Sequence, residues 1–236
     1  MDSLVQQAEA AHRRGDLDAA KRLYTQQLSA DSQQVDALYG LGTLLMQAQQ
    51  FSEAEPLLSM ALALEPDAAD IAYNYAICLR SKGDNSSAAE LAERAGRSGG
   101  MDEPFSANVC NLLLALNKPQ LVLEQLDRFP HRSQASHLLR AQAFGLLGAW
   151  DRSVALLRQL LQADSTNAEV AQALALAAGR LRDYDLAIKT YELYLGLITP
   201  GAAEFVKFAD LFLLARKVDQ CETYVQYARE AGAETT

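Results

Sequence analysis

The three histidines are the residues of this sequence best suited to metal binding or proton transfer, and their spacing favours neither role. They stand at His12, His131 and His137. Metal-binding histidines on one helix often follow H-x-x-x-H spacing, which the last two do not. The sequence also lacks a G-x-x-x-x-G-K-[ST] phosphate loop and a G-x-G-x-x-G dinucleotide motif. We therefore predict no enzyme activity, no metal site and no cofactor.

The three cysteines are odd in number and far apart, which predicts free thiols rather than a disulfide framework. They are Cys78, Cys110 and Cys221, and no two of them have C-x-x-C spacing. Cys110 and Cys221 fall in repeating rows of small residues, and Cys78 adjoins Leu79. We expect all three to pack in a hydrophobic core of a protein that stays in a reducing compartment.

The composition is that of a helical protein. Of its 236 residues, 41 are alanine and 39 are leucine, whereas glycine and proline number only 13 and 6. The formal net charge is −9, so the protein as a whole repels nucleic-acid phosphates and anionic lipid. The polar N-terminal residues do not resemble a signal peptide, and no apolar run has membrane-spanning length. These features predict a cytoplasmic protein that neither binds nucleic acid nor inserts into a membrane.

Small and apolar residues recur with a period of 34, with a single step of 31. Small residues let two helices approach closely, and larger apolar residues fill the space around that contact. The first small row is Ala8, Gly42, Ala76, Cys110, Ala141, Ala175 and Ala209, and the second is Ala20, Ala54, Ala88, Val122, Ser153, Ala187 and Cys221. The two larger apolar rows are Ala11, Leu45, Leu79, Leu113, Phe144, Ala178 and Phe212, and Tyr24, Leu58, Ala92, Leu126, Leu157, Tyr191 and Val225.

These rows predict a helix–turn–helix hairpin repeated about seven times in a single array over residues 1–236. Turn signals such as Gly15-Asp16, Gly83-Asp84 and Arg182-Asp183 separate the two helices of a repeat. The third and fourth repeats depart from the pattern at Gly96 and Pro130, which predicts a hinge near residues 96–104. The predicted repeats are 1–34, 35–68, 69–102, 103–133, 134–167, 168–201 and 202–236.

The second repeat resembles the tetratricopeptide repeat (TPR) family, whose unit is a 34-residue helix–turn–helix. The resemblance lies in Leu38, Leu41-Gly42, Leu45, Phe51, Ala54, Leu58, Ala61-Leu62 and Pro66. It implies an all-α fold, a right-handed α-solenoid of about seven such repeats. It also implies that the first helices of the repeats line a concave groove that binds another protein.

Candidate partner-binding residues follow from the rows of the first helices that would face this groove. Tyr39 and Tyr73 are the best anchors, because rigid aromatic rings supply contact area at a low entropy cost. Asparagine side chains can both donate and accept, and therefore suit the backbone of an extended peptide. The full set is Tyr39, Tyr73, Asn74, Ile77, Arg80, Asn108, Asn111, Leu114 and Leu138.

The favoured function is a non-catalytic scaffold or adaptor that binds a peptide or helix of a partner protein. Two alternatives stay open: the repeats could precede a sulfotransferase-like or glycosyltransferase-like domain of a larger bacterial enzyme, or serve as a structural assembly subunit. An array also ends in a helix face that lacks a following repeat. We expect Tyr224, Val225 and Ala228 to form that face and to support self-association.

Overall fold

The computed structural model describes residues 3–98, 102–128, 130 and 133–233. In this part of the chain there are fourteen α-helices and no β-strand. None of these helices combines the length and the apolar character that crossing a membrane requires. The helices are α1 (Leu4–Arg13), α2 (Leu17–Ala30), α3 (Val35–Gln47), α4 (Phe51–Leu64), α5 (Ala69–Ser81), α6 (Asn85–Arg97), α7 (Glu103–Ala115), α8 (Pro119–Arg128), α9 (Gln134–Leu146), α10 (Trp150–Ala163), α11 (Ala168–Arg180), α12 (Tyr184–Leu197), α13 (Ala202–Leu214) and α14 (Val218–Ala233).

The helices pack in the order in which they follow one another along the chain. The chain divides into two compact units, unit 1 (Met1–Leu121) and unit 2 (Val122–Thr236). In unit 1 each helix from α1 to α7 packs on the next, and in unit 2 the helices from α9 to α14 do the same. The fold class is an all-α helical-repeat solenoid, as the sequence predicted.

The rows of small residues lie in the core between the helices. Every member of the Ala8 row is buried, and so is every member of the Ala20 row except Cys221, which is half-buried. The burial of Cys78 and Cys110 confirms that they pack in the core, and the Cys78 thiol donates to the carbonyl oxygen of Phe51 at 3.4 Å. Because these side chains are small, the paired helices approach closely enough for the larger rows to close the core.

Each predicted repeat turns at one residue with a left-handed backbone conformation. The amide of the following residue donates to a carbonyl oxygen in the last turn of the preceding helix, over 2.8 to 3.0 Å, which closes a Schellman motif. The acceptors are the residues of the Ala11 row. The left-handed residues, with φ between 55° and 91°, are Gly15, Gln49, Gly83, Asn117, Gly148, Arg182 and Arg216.

A glycine in this position should be replaceable only at a cost in stability. Gly83 has φ of 91°, and a Cβ atom added there meets no other atom within 4 Å, so any cost comes from the backbone alone. We expect Gly83→Ala to lower the free energy of unfolding by about 1 kcal/mol. Urea unfolding followed by circular dichroism measures this change. Gly83→Asn is the control and should cost less, because asparagine tolerates this conformation; equal losses in both variants would contradict this interpretation.

Aspartates begin three of the second helices, as the turn signals predicted. Asp16, Asp84 and Asp183 accept hydrogen bonds from the backbone amides at the starts of α2, α6 and α12, over 3.1 to 3.2 Å. These bonds satisfy amide groups that have no partner within the helix, and the carboxylates suit the positive end of the helix dipole. The turn and the cap together fix where each second helix starts.

The fourth repeat, which is shorter than the others, has a short second helix. α8 has 10 residues, whereas the other second helices have 13 to 16. Gly96 does not end α6, which runs to Arg97 with Gly96 buried. The predicted hinge includes residues 99–101, and these lie outside the described residues, as does His131.

Aromatic rings dominate the core of unit 2 near α13. Phe208 stacks on Tyr191 with 5.0 Å between ring centroids and meets Phe212 at 4.7 Å. Tyr224 of α14 lies 4.5 Å from the same Phe208 ring. Burial, followed by the nearby Tyr194 and Glu204, raises the pKa of the Tyr191 phenol to about 12. These rings fasten α12, α13 and α14 together.

The helix face expected at the C-terminal edge is oriented differently from the prediction. Tyr224 packs against α13, and Ala228, one turn further on, is buried. Residues four apart share a helix face, so both belong to the face that α14 uses for α13. Val225 is 36% exposed, while the earlier members of its row in the described residues are buried. Those earlier members sit beneath a following helix pair, and none follows α14 in the described residues.

Candidate functional site

The predicted partner-binding residues of unit 1 lie on α3, α5 and α7, the first helices of three successive repeats. α1 contacts α3 and α3 contacts α5, and α6 links α5 to α7. Eight of the nine predicted residues belong to this unit. We call them the inner surface, which consists of Tyr39, Tyr73, Asn74, Ile77, Arg80, Asn108, Asn111 and Leu114.

A hydrogen bond between neighbouring repeats fixes the ring of Tyr39. The Asn74 side-chain amide donates to the Tyr39 hydroxyl oxygen at 2.6 Å and also to the Asp70 carbonyl oxygen at 3.1 Å. Burial raises the pKa of the Tyr39 phenol to about 12, and the Asp70 carboxylate adds to this effect. Tyr39 therefore stays neutral and in one position, with part of its ring exposed.

The ring of Tyr73 is held in a similar way by the next repeat. It packs against Phe105 of α7, with ring centroids 5.4 Å apart and a tilted geometry that aromatic pairs prefer. Tyr73 is half-buried, and burial raises the pKa of its phenol. Both tyrosines thus contribute to packing within the unit and keep part of their surface available.

The polar residues of the inner surface are open to solvent. Asn108, Asn111 and Arg80 are exposed, and their side chains make no hydrogen bond or ion pair with another described residue. Asn74 uses its amide nitrogen within the unit and keeps its carbonyl oxygen as an acceptor. Half-buried Ile77 supplies apolar surface between these groups. The arrangement offers donors and acceptors beside fixed aromatic and aliphatic groups, a combination that suits a peptide.

The ninth predicted residue, Leu138, has a different position. It lies in unit 2, is 9% exposed, and packs with Leu157 and Leu174 in the core. On α9 it lies on the face that packs against α10 and α11. A side chain with so little exposed area has little to offer a partner, so we leave it out of the proposed surface.

A cavity of about 510 Å³ adjoins the inner surface in unit 1. We call it the acidic cavity, because three carboxylates line it against a single arginine. Tyr39 and Asp70 belong both to this cavity and to the neighbourhood of the inner surface. The lining residues are Glu9, His12, Arg13, Tyr24, Asp36, Tyr39, Gly40, Thr43, Gln47 and Asp70.

Tyr24 reaches the acidic cavity because the next repeat has a glycine opposite it. A Cβ atom added to Gly40 would lie 2.3 Å from the Tyr24 ring carbon Cζ and 2.6 Å from its hydroxyl oxygen. Tyr24 is 2% exposed, and its ring meets His12 edge-on with centroids 6.4 Å apart. Burial, then the Glu9 carboxylate, raises the pKa of the Tyr24 phenol.

Unit 2 has a cavity of about 600 Å³ between α11, α12 and α13, with the opposite charge. Arg180, Arg182 and Lys207 line it, against the single carboxylate of Asp210. Leu176 of the same lining is exposed. Arg180 also lies 5.9 Å from the centre of the Trp150 ring, a distance at which a cation and an aromatic face attract each other.

Sequence reasoning missed Tyr24 as a site residue. Tyr24 belongs to an apolar row, which indicated core packing, and its contact with Gly40 crosses from one repeat to the next. For Tyr24 the available signal was the glycine beside Tyr39, since glycine inside a helix costs stability unless it accommodates a close contact. The described residues contain no group of three or more histidine, cysteine, aspartate or glutamate side chains that could hold a metal ion.

The fold defines a class, the all-α helical-repeat solenoids. Two family models match the sequence, one over residues 11–63 and the other over residues 39–101, and both are described as tetratricopeptide repeat. Residues 11–101 therefore carry tetratricopeptide repeats. Repeats of this family generally mediate contacts between proteins. No curated protein matches the sequence.

Solved structures of TPR proteins share the fold at low sequence identity. A TPR protein from Parabacteroides merdae is 16% identical, with a TM-score of 0.72 over 97% of this chain and 92% of that chain. The C-terminal part of a TPR repeat-containing protein from Cytophaga hutchinsonii is 13% identical, with a TM-score of 0.70 and 95% of each chain covered. YrrB, described as a TPR protein with an unusual peptide-binding site, is 14% identical, with a TM-score of 0.60 over 82% of this chain and 97% of its own.

Proposed function

We propose that this protein is a non-catalytic scaffold that binds a peptide or helix of a partner protein on the inner surface of unit 1. The observation that carries the proposal is the pair of fixed, half-exposed rings of Tyr39 and Tyr73, held by Asn74 and Phe105. Rings already ordered before binding lose little entropy when a partner covers them. The likeness to YrrB in fold supports a peptide as the occupant.

The exposed asparagines give the proposed surface its means of holding a backbone. Asn108 and Asn111 lie three residues apart on α7, so their side chains share a face of the helix. Each amide can donate to a peptide carbonyl oxygen and accept from a peptide amide. Ile77 and Leu114 then supply the apolar contacts that exclude water from these bonds.

Selection from a displayed random-peptide library on the full chain tests the proposal. The selected peptides should bind more weakly when an exposed inner-surface residue is replaced by a bulky cationic residue. We expect Asn108→Arg to reduce the affinity of the selected peptides by about tenfold or more, measured by fluorescence anisotropy.

The matched control places the same side chain on another exposed helix position. Ser59 lies on α4, a second helix, and is exposed, so Ser59→Arg adds the same charge outside the inner surface. We expect it to change affinity by less than about twofold. Selection of no peptide, or equal effects of Asn108→Arg and Ser59→Arg, would count against the proposed function.

A further inference from the structure

We propose that the acidic cavity of unit 1 binds the basic side chain, lysine or arginine, of the peptide held on the inner surface. This proposal deepens the proposed function, because it names the chemistry of the partner segment. The cavity volume of about 510 Å³ lies within the range of roughly 300–1,000 Å³ that is typical of ligand sites.

The charges that line the cavity favour a cation. Glu9, Asp36 and Asp70 contribute three negative charges, and Arg13 contributes one positive charge. None of these four side chains forms an ion pair with another described residue. An ammonium or guanidinium group bound in the cavity would therefore gain favourable charge interactions, and no existing ion pair would have to break.

The Tyr24 side chain, whose hydroxyl group opens into the cavity, provides the second, independent indication of a ligand. The Tyr24 side chain is 2% exposed and makes no hydrogen bond to another described residue. Its hydroxyl oxygen lies against Gly40, which itself lines the cavity. A phenol oxygen can accept a hydrogen bond, and an N–H group of a bound basic side chain would supply the donor.

The arrangement suits an organic cation better than a metal ion. The described residues contain no group of three or more acidic, histidine or cysteine side chains that could hold a metal, so the three carboxylates line the walls without converging on one point. An ammonium group has only donors to offer, and the carboxylate and phenol oxygens around it can accept. The half-exposed ring of Tyr39 adds aromatic surface, which attracts cations.

The cavity is continuous with the inner surface. Tyr39 lines the cavity and accepts the hydrogen bond from Asn74, and Asn74 also bonds to the backbone of Asp70. A peptide lying on the inner surface could therefore extend one side chain past Tyr39 into the cavity. This continuity commits the occupant to a segment of a partner protein that carries lysine or arginine.

The test uses short probes that do not need the rest of the inner surface. The tripeptide Ala-Lys-Ala, acetylated and amidated at its ends, is titrated into the ¹⁵N-labelled full chain, and the amide signals of Gly40 and Thr43 are followed by NMR. We expect saturable shifts with a dissociation constant on the order of 1–10 mM. The neutral norleucine analogue should bind about tenfold more weakly, because it lacks the charge-assisted hydrogen bonds. Ala-Arg-Ala and its citrulline analogue form the second arm.

Paired variants separate the cavity from general acidity. Glu9→Gln combined with Asp70→Asn should weaken binding of the basic tripeptides by about tenfold. Asp67→Asn combined with Glu90→Gln removes the same charge from exposed positions of unit 1 outside the cavity, and should weaken it by less than about twofold. Unchanged Gly40 and Thr43 signals with either basic tripeptide, equal shifts with the neutral analogues, or equal losses in both double variants would overturn the proposal.

These outcomes are distinct from a failure of the proposed function. Library peptides that depend on Asn108 but contain no basic residue would support the inner surface and overturn the role of the cavity. Specific binding of the basic tripeptides without selection of any longer peptide would support the cavity as a cation site. It would overturn the proposed role of the inner surface in peptide binding.

Discussion

Replacing Phe208 with alanine is expected to lower the free energy of unfolding by about 3–5 kcal/mol. Phe208 is 0% exposed and stacks on Tyr191 at 5.0 Å between centroids. Phe212 and Tyr224 approach the same ring to 4.7 Å and 4.5 Å. Alanine would leave a cavity that these neighbouring rings can fill only in part, and the edge-to-face and stacked contacts would be lost as well.

The effect of Phe208→Ala should be local as well as large. Each pair of helices in a repeat protein gains its stability mainly from its neighbours, so the helices that share the ring should loosen together. We expect faster amide hydrogen exchange in α12, α13 and α14, together with a lower midpoint of urea unfolding. The control is Leu213→Ala on the same helix, where the side chain is 57% exposed and the cost should be within about 0.5 kcal/mol. Similar losses in the two variants would contradict the assigned role of the aromatic cluster.

Replacing Gly40 with alanine should also destabilise the protein, although alanine is ordinarily the better helix former. The new Cβ atom would lie 2.3 to 2.6 Å from the Cζ, Cε1 and hydroxyl atoms of Tyr24. Tyr24 is buried between the repeats, so its ring cannot simply swing into solvent. We expect a loss of about 1–3 kcal/mol from the forced rearrangement, measured by urea unfolding.

A second glycine and a double variant make this expectation specific. Gly196 lies inside α12, and a Cβ atom added there meets nothing within 4 Å. Gly196→Ala should therefore raise the free energy of unfolding by about 0.5–1 kcal/mol. In a Tyr24→Leu background, Gly40→Ala should cost less, because the ring that it displaces is absent. An equal cost of Gly40→Ala in both backgrounds would show that Tyr24 is not the obstacle.

The sequence was sufficient to predict the helices and their order, since the required information repeats every 34 residues. The Ala8 row recurs wherever two helices must approach closely, and the turn signals mark where each pair reverses direction. Two of the seven turns had no recognisable signal in the sequence. Their left-handed residues are Gln49 and Arg216, which are residue types that do not favour this conformation. The packing of the helix pair imposes the turn there, which a local signal cannot reveal.

The candidate site was less accessible to sequence reasoning, because it depends on contacts between repeats. Tyr39 and Tyr73 were recognised from their row. The hydrogen bond from Asn74 to Tyr39 and the contact of Phe105 with Tyr73 join different repeats, so they depend on how neighbouring helices are placed. The acidic cavity depends on Tyr24 passing over Gly40, two residues that no periodic pattern relates. At the other end, Tyr224 and Ala228 belong to the face that packs on α13, which the spacing of the rows alone did not distinguish from the exposed face.

The seven left-handed turns have a consequence for how this protein tolerates change. The backbone course is specified by one residue per turn and by the small residues at the helix contacts, whereas exposed positions such as Asn108 take part in neither. The exposed asparagines of the proposed inner surface are therefore separate from the positions that specify the fold, whereas Tyr39 and Tyr73 also pack within the unit. New binding specificities could arise by substitution on the inner surface while the architecture beneath it is preserved.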